Sequence, residues 1–274
     1  MSEFSGLIEK HKSPLKNSSP LALDTYSKCS ADCLFCFACN WYSDLDLSNI
    51  DPAEIRKNLR SRKFSDFFQI ENGKLIYGEL FDPFSDIEKE RGVTLEMLKV
   101  LHEENIPVEF LTRFSWWTED PRYLDLFKKH KENWNVQMGI MTMDEKIAVK
   151  VERGVPTPQE RIEGIRNLTS EGISVELNYR SFIPYVCKDW MDVLLAAKSA
   201  GADKISLSSI RVKKKPNKRM KEKYDLLNEV TGVDIIRKFN EPEMMGYCTL
   251  DQEILRPYLK NIRKFACKIG FSVC

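Results

Sequence analysis

Three cysteines, Cys29, Cys33 and Cys36, lie close together with three and then two residues between them. Adjacent turns of one short loop can aim all three sulfurs at a common place, as an iron–sulfur cluster needs. Three protein thiolates on a four-iron cluster leave one iron without a protein ligand. An open iron can bind a small molecule, so the pattern points to catalysis more than to electron storage. Zinc is a competing use of the same loop. It usually takes four closed ligands, often as two CxxC pairs, and Cys39 could supply a fourth. A disulfide pair is a third use, and it conflicts with the compartment read from the whole chain.

The chain has 274 residues and a net charge of +1, so no global acidic or basic field dictates a partner. That length can hold one large α/β domain. Eight cysteines are too few for a disulfide scaffold at this length. The first residues carry acids and show no apolar leader segment, and no apolar run approaches the ~20 residues a membrane span needs. A cytoplasmic protein with reduced thiols and no membrane contact is expected. The three histidines are His11, His102 and His130. They supply little for histidine-based nucleophilic catalysis, and His130 reads as a structural residue on a helix face with Tyr123, Phe127 and Trp134.

The elements that must position the cysteine loop follow from periodicity and capping. Apolar runs predict strands near 21–26, 74–80, 107–113, 136–142, 174–183 and 205–210. Between them lie helical patterns. One is capped by Asp51 with Pro52 in its first turn and runs to Phe68. Others cover 94–105, 121–134 and 144–153. Another opens at Thr157-Pro158-Gln159-Glu160 with a full capping box, and one more covers about 188–200. Strands alternating with helices imply parallel strands joined by right-handed crossovers. The alternation stops short of eight units. An α/β fold is therefore expected, with an open or partial barrel over 21–212. Residues 1–20 read as an N-terminal arm. Residues 213–274 read as a basic segment and a mostly helical extension packed on the barrel, ending in a helix over 255–269.

In parallel α/β barrels functional residues gather at the C-terminal strand ends. The cysteine loop follows the first strand. Gly78-Glu79 ends the second, Thr112-Arg113 the third and Thr142 the fourth. Asn178 to Arg180 lie on the fifth, and Ser208-Ser209 end the sixth.

The CxxxCxxC spacing, with Phe35 in the aromatic slot before the third cysteine, resembles the radical S-adenosylmethionine (radical SAM) superfamily. The resemblance implies a partial (β/α)6 barrel. It implies that Cys29, Cys33 and Cys36 hold a 4Fe–4S cluster whose fourth iron takes the amine and carboxylate of SAM. An electron from a reductant such as flavodoxin or ferredoxin would then split SAM, and the 5′-deoxyadenosyl radical would remove a hydrogen atom from a substrate. Gly78-Glu79 resembles the family's Gly-Gly-Glu segment for the SAM amine, with Tyr77 in place of the first glycine. Arg113 stands where a basic residue often receives the SAM carboxylate. Thr142 is a candidate for the ribose, and Asn178 is a further cofactor-facing candidate.

Glu152 to Arg161, and Phe81-Asp82-Pro83-Phe84 ahead of Glu88, resemble the branch that includes spore photoproduct lyase. Arg161 could pair with Glu152 or with SAM. The chain departs from that branch where a cysteine and tyrosines relay a hydrogen atom: the neighbours here are Phe35 and Phe37, which lack hydroxyls. Photoproduct-lyase chemistry is therefore not expected. Cys39 and Cys187 are candidate hydrogen donors. The basic run from Arg211 to Lys223 reads first as a solvated run of surface charges, and it could also contact phosphates. Together with the branch resemblance it makes a nucleic acid or nucleotide the first substrate class. A peptide or small metabolite is the alternative, and a non-catalytic zinc-binding interaction protein is the reading outside enzymes. Oligomeric state is not legible.

Overall fold

The structure is a computed structural model, and it describes residues 7–9, 21–38, 51–61, 73–242 and 246–273. Cys39, most of the N-terminal arm and the end of the helix expected to reach Phe68 lie outside the described residues.

Each expected strand forms where a short apolar run can be buried on both faces. The strands are β2 (Leu21–Leu23), β3 (Leu75–Tyr77), β4 (Val108–Thr112), β5 (Trp134–Gly139), β6 (Val175–Phe182) and β7 (Lys204–Ser209). They pair in that order, all parallel. Such a sheet must be covered on its faces, which is why β2, β3 and β5 carry no exposed residue.

Several helices begin where the sequence places a side-chain cap. In α1 (Pro52–Leu59) the Asp51 side chain accepts from the Ala53 amide. Helices α2 (Asp86–Arg91) and α3 (Val93–Glu103) meet at Gly92, whose φ of +66° ends one and starts the next. Asp120 caps α4 (Pro121–Lys129). Asp144 caps α5 (Glu145–Val151), and the complete Thr157/Glu160 capping box opens α6 (Pro158–Ser170). Helix α7 (Trp190–Ser199) precedes β7.

One helix is shorter than its pattern. The stripe Tyr123, Phe127, His130, Trp134 continues at helical spacing, but α4 stops at Lys129 and Trp134 opens β5. The indole reaches the same core from the sheet. It stacks on the His130 ring (4.5 Å between centroids, 17° between planes) and donates to the Ile106 carbonyl at 2.9 Å. His130 is buried against this indole and the His102 ring, as a structural residue should be.

Seven strands of the sheet run parallel, one more than the alternation predicts. After an excursion the chain returns through α10 (Gln252–Lys268), and β11 (Ser272–Val273) adds parallel to β7. At the opposite edge β1 (Leu7–Glu9) pairs antiparallel with β2, so part of the arm is sheet. The sheet order β1-β2-β3-β4-β5-β6-β7-β11 is open. The excursion contains a small sheet of β8 (Val212–Lys213), β9 (Glu241–Pro242) and β10 (Tyr247–Thr249). It also carries α8 (Lys218–Thr231) and the short α9 (Ile235–Lys238). Aromatic rings fill one side of the core: Phe84 stacks on Trp117 at 4.2 Å, and Phe110 meets Phe127 at 4.6 Å. Among the described residues no helix is long and apolar enough to cross a membrane.

Candidate active site at the strand ends

The cysteine loop is built by what surrounds it. Asp24, just past β2, is fully buried and its Oδ1 accepts from the Leu80 and Phe81 amides at 3.1 and 3.0 Å. This joins the exit of β2 to the exit of β3. Gly78 has a φ of +86° and donates to the Leu23 carbonyl. A Cβ there would lie 2.5 Å from Pro83 Cδ and 2.6 Å from the Leu111 carbonyl oxygen, so the fold itself demands glycine. The loop is also pinned to the end of α5: the Asp32 and Leu34 amides donate to the Arg153 and Val151 carbonyls at 2.8 and 2.9 Å.

These contacts open a cavity of ≈ 470 Å³ at the C-terminal ends of the strands. Cys29, Cys33 and Cys36 share its wall with Phe35. Gly78, Glu79, Arg113 and Asn178 reach the same space from β3, β4 and β6. Eight of the twelve candidates for cluster ligand, cofactor contact or hydrogen donor therefore meet in one place.

The remaining four divide differently. Thr142 is buried off the cavity wall, and its hydroxyl donates to the Asp189 carboxylate at 2.8 Å. Arg161 is fully buried and off the wall; its Nη1 and Nη2 grip Glu152 at 2.9 and 2.8 Å, and Nη1 also donates to the Gly139 carbonyl. The pairing with Glu152 is present. Cys187 is buried in the core, where its sulfur accepts from the Ile183 amide at 3.4 Å. Cys39 lies outside the described residues.

Arg113 is held from three sides. Its Nη1 donates to Glu152, its Nη2 to Ser181 Oγ at 2.8 Å, and its guanidinium lies 5.0 Å over the Phe35 ring. Gly139 leaves the room: a Cβ there would sit 3.0 Å from the arginine side chain. Burial works against the Arg113 charge, but Glu152 chiefly, with Cys33 and Asp82, raises its pKa above the ordinary value. Burial likewise opposes the Glu152 charge, yet Arg161 and Arg113 together hold its carboxyl below the usual range. Asp82 accepts from the Arg113 amide, the Thr112 hydroxyl and the Phe84 amide, while burial still pushes its carboxyl up to about 6.

Burial pushes the Cys33 thiol up to about 12, with Arg113 pulling the other way. Burial, then the Asp82 charge, raises the Cys29 thiol as well. Metal binding takes thiolates, so a metal loaded on this loop would release protons. Among the described residues no three His, Cys, Asp or Glu side chains close on a point that a single ion could fill. A four-iron cluster is bound through different irons, so its three thiolates do not share one point. The donor set fits a cluster: three soft sulfurs, one cavity, and space for a further ligand.

Two features were missed in the sequence. Asp82 organises the β4 exit although it reads only as part of a loop motif. Lys223 reaches the cysteine loop across 190 residues (Nζ to the Cys33 carbonyl, 2.9 Å), and no local pattern could announce that contact.

The chain is an open, mostly parallel α/β sheet with a three-cysteine loop after its first parallel strand, and several solved structures share this fold. The chain is similar to a spore photoproduct lyase variant with bound AdoMet and dinucleoside spore photoproduct. The TM-score is 0.70 at 13% identity, covering 94% of this chain and 77% of that one. It is also similar to Streptococcus suis SuiB bound to S-adenosylmethionine, with a TM-score of 0.58 at 16% identity, covering 94% of this chain and 51% of that one. SuiB bound to its precursor peptide SuiA matches with a TM-score of 0.58 at 15% identity, over 94% and 49%. The chain thus spans about half the length of SuiB. No family model and no curated protein matches the sequence.

Proposed function

We propose that this chain is a radical SAM enzyme. The observation that carries the reading is the meeting of the three cysteines with Glu79, Arg113 and Asn178 on one cavity wall at the strand ends. Cys29, Cys33 and Cys36 would hold a 4Fe–4S cluster, and Glu79 and Arg113 would receive the amine and carboxylate of SAM. When bound, cluster and SAM together supply a 5′-deoxyadenosyl radical that removes a hydrogen atom from a substrate, given an electron from a donor such as flavodoxin or ferredoxin.

The chain's own residues perform the positioning. Glu152 and Ser181 fix the Arg113 fork, and Phe35 carries its face. Asp24 and Asp82 hold the backbone at the β3 and β4 exits, so the wall is formed before any ligand arrives. Leu80, Phe37 and Phe114 give the cavity an apolar end.

For the substrate, a nucleotide or nucleic acid is the reading we favour. Arg180 and Arg211 lie on the cavity wall with Ser208 and Ser209, a donor set suited to an anionic group. The spore photoproduct lyase structure holds a dinucleoside. A peptide is the second reading, supported by the SuiB structure with its precursor peptide. Salt-dependent retention on immobilised DNA or RNA separates them. Lys215, Lys218 and Lys221 are the exposed lysines to neutralise, since Lys213 packs over Tyr247 and Lys214 donates to the Ile236 carbonyl.

The test of the activity is anaerobic. The protein is reconstituted with iron and sulfide, reduced and given SAM, and 5′-deoxyadenosine is quantified against Cys33→Ala. Product from the wild type alone is expected. A colourless protein with stoichiometric zinc and no product would replace the enzyme reading with the structural-metal one.

A further inference from the structure

The basic run that reads as a phosphate contact in the sequence has another partner in the fold. It begins α8, capped by Asn217, and Met220, Tyr224 and Leu227 anchor that helix in the core. The same face carries Lys223, whose side chain is only 6% exposed. Its ammonium donates to the Cys33 carbonyl at 2.9 Å and pairs with Asp32 at 2.7 Å. Arg219 adds a longer contact to the same Asp32 oxygen at 3.4 Å. A buried ammonium is costly unless paired, and here both partners come from the cysteine loop.

We propose that Lys223 is a positioning residue for the cluster. It fixes the carbonyl of the middle cysteine and sets an ammonium, paired with Asp32, beside the loop that gathers three cysteines. The inference rests on the reading that those thiolates hold a 4Fe–4S cluster. Reduction adds negative charge to an already anionic, partly buried site. A fixed cation at low dielectric favours the reduced form, and partners of the ligands are a recognised lever on cluster potential. Asp32, in the same contact, acts with the opposite sign.

The experiment uses the full chain loaded anaerobically with iron and sulfide. Wild type, Lys223→Met, Lys223→Arg and Asp32→Asn are compared by EPR-monitored redox titration and by cluster loss under a chelator. Lys223→Met is expected to lower the reduced-to-oxidised ratio at fixed potential at least threefold, about 30 mV more negative for a one-electron couple. Asp32→Asn is expected to move the potential the other way, because the negative charge leaves and the lysine stays. Lys223→Arg keeps the charge and should stay near wild type. Lys223→Met should also lose cluster several-fold faster. A lysine that merely supports the fold would not give opposite shifts. Unchanged potentials in Lys223→Met and Asp32→Asn, with clusters loaded, overturn the proposal. Should Lys223→Met fail to fold, Asp32→Asn decides: a positive shift supports the proposal and no shift overturns it. A wild type that takes up no cluster overturns the cluster reading itself, a result distinct from unchanged potentials.

Discussion

Replacing Glu152 by glutamine tests the frame of the site. The carboxylate is fully buried and accepts from both guanidinium ends of Arg161 and from Arg113. Arg161 is itself fully buried, so it has no solvent to turn to. In Glu152→Gln two buried cations face a neutral amide that donates toward their own N–H groups. Breaking a buried pair by removing one partner costs about 3–5 kcal/mol. For a chain of this size that corresponds to a fall in Tm of about 6–10 °C. The assay is urea denaturation followed by tryptophan fluorescence, since Trp117 and Trp134 are fully buried reporters. Glu163→Gln, which removes an exposed pair with Arg166, is the control and should leave stability nearly unchanged. The pH dependence has a definite sign. The folded carboxyl titrates below its ordinary 4.5, so its contribution is complete above that value and is lost as pH falls through the folded pKa. The gap between wild type and Glu152→Gln should be constant from neutral pH to about 5 and shrink below it. A loss under about 1 kcal/mol at neutral pH would refute the idea that this carboxylate is the hub.

Three further outcomes follow from local geometry. Gly78→Ala needs a Cβ at a φ of +86°, against a proline ring and a backbone carbonyl. It should cost about 2–4 kcal/mol in the same urea assay, and a neutral result would mean the turn can re-form. Gly139→Ala pushes a Cβ to 3.0 Å from Arg113; equilibrium dialysis should show SAM affinity down about fivefold to tenfold, or roughly 1 kcal/mol of lost positioning, whereas unchanged affinity would free Arg113 from that role. His130 sits 2.6 Å from His102 and its pKa is lowered, by burial first and then by the His102 charge. A base with a depressed folded pKa contributes fully above its unfolded value of 6.5 and loses that contribution as pH falls below it. The urea midpoint should therefore fall between pH 7.5 and 5.5 by more in wild type than in His130→Asn, and equal falls would contradict the assignment.

The sheet was legible because its strands are short apolar runs separated by capped helices. Asp51, Asp120, Asp144 and Thr157 each cap where the side-chain chemistry says they should. The alternation of strands with helices implied the parallel pairing that forms. Two edges escaped: Leu7–Glu9 and Ser272–Val273 are too short for a period to show, and only pairing with a neighbour defines them. Trp134 was drawn into a helix because its spacing from Phe127 and His130 matched one, although the ring fills the core from the sheet. Within the site, residues carried on strand ends or in the cysteine loop were readable, as Arg113, Glu79 and Cys33 show. Thr142 lies off the cavity wall because its hydroxyl turns to a neighbouring carboxylate, here Asp189. Lys223 was read as one of a run of surface charges. Helical phase turns it inward with Met220 and Leu227, and the sequence does not say which loop that face will meet.

The most direct test of the central claim is the EPR spectrum of the reconstituted, reduced protein with and without SAM, alongside its metal content. The account expects about four irons per chain, in keeping with one 4Fe–4S cluster, and a signal that changes when SAM is added. Alanine at Cys29, Cys33 or Cys36 should abolish both. A loaded cluster whose signal ignores SAM, or a chain that carries one zinc and no iron, would contradict it.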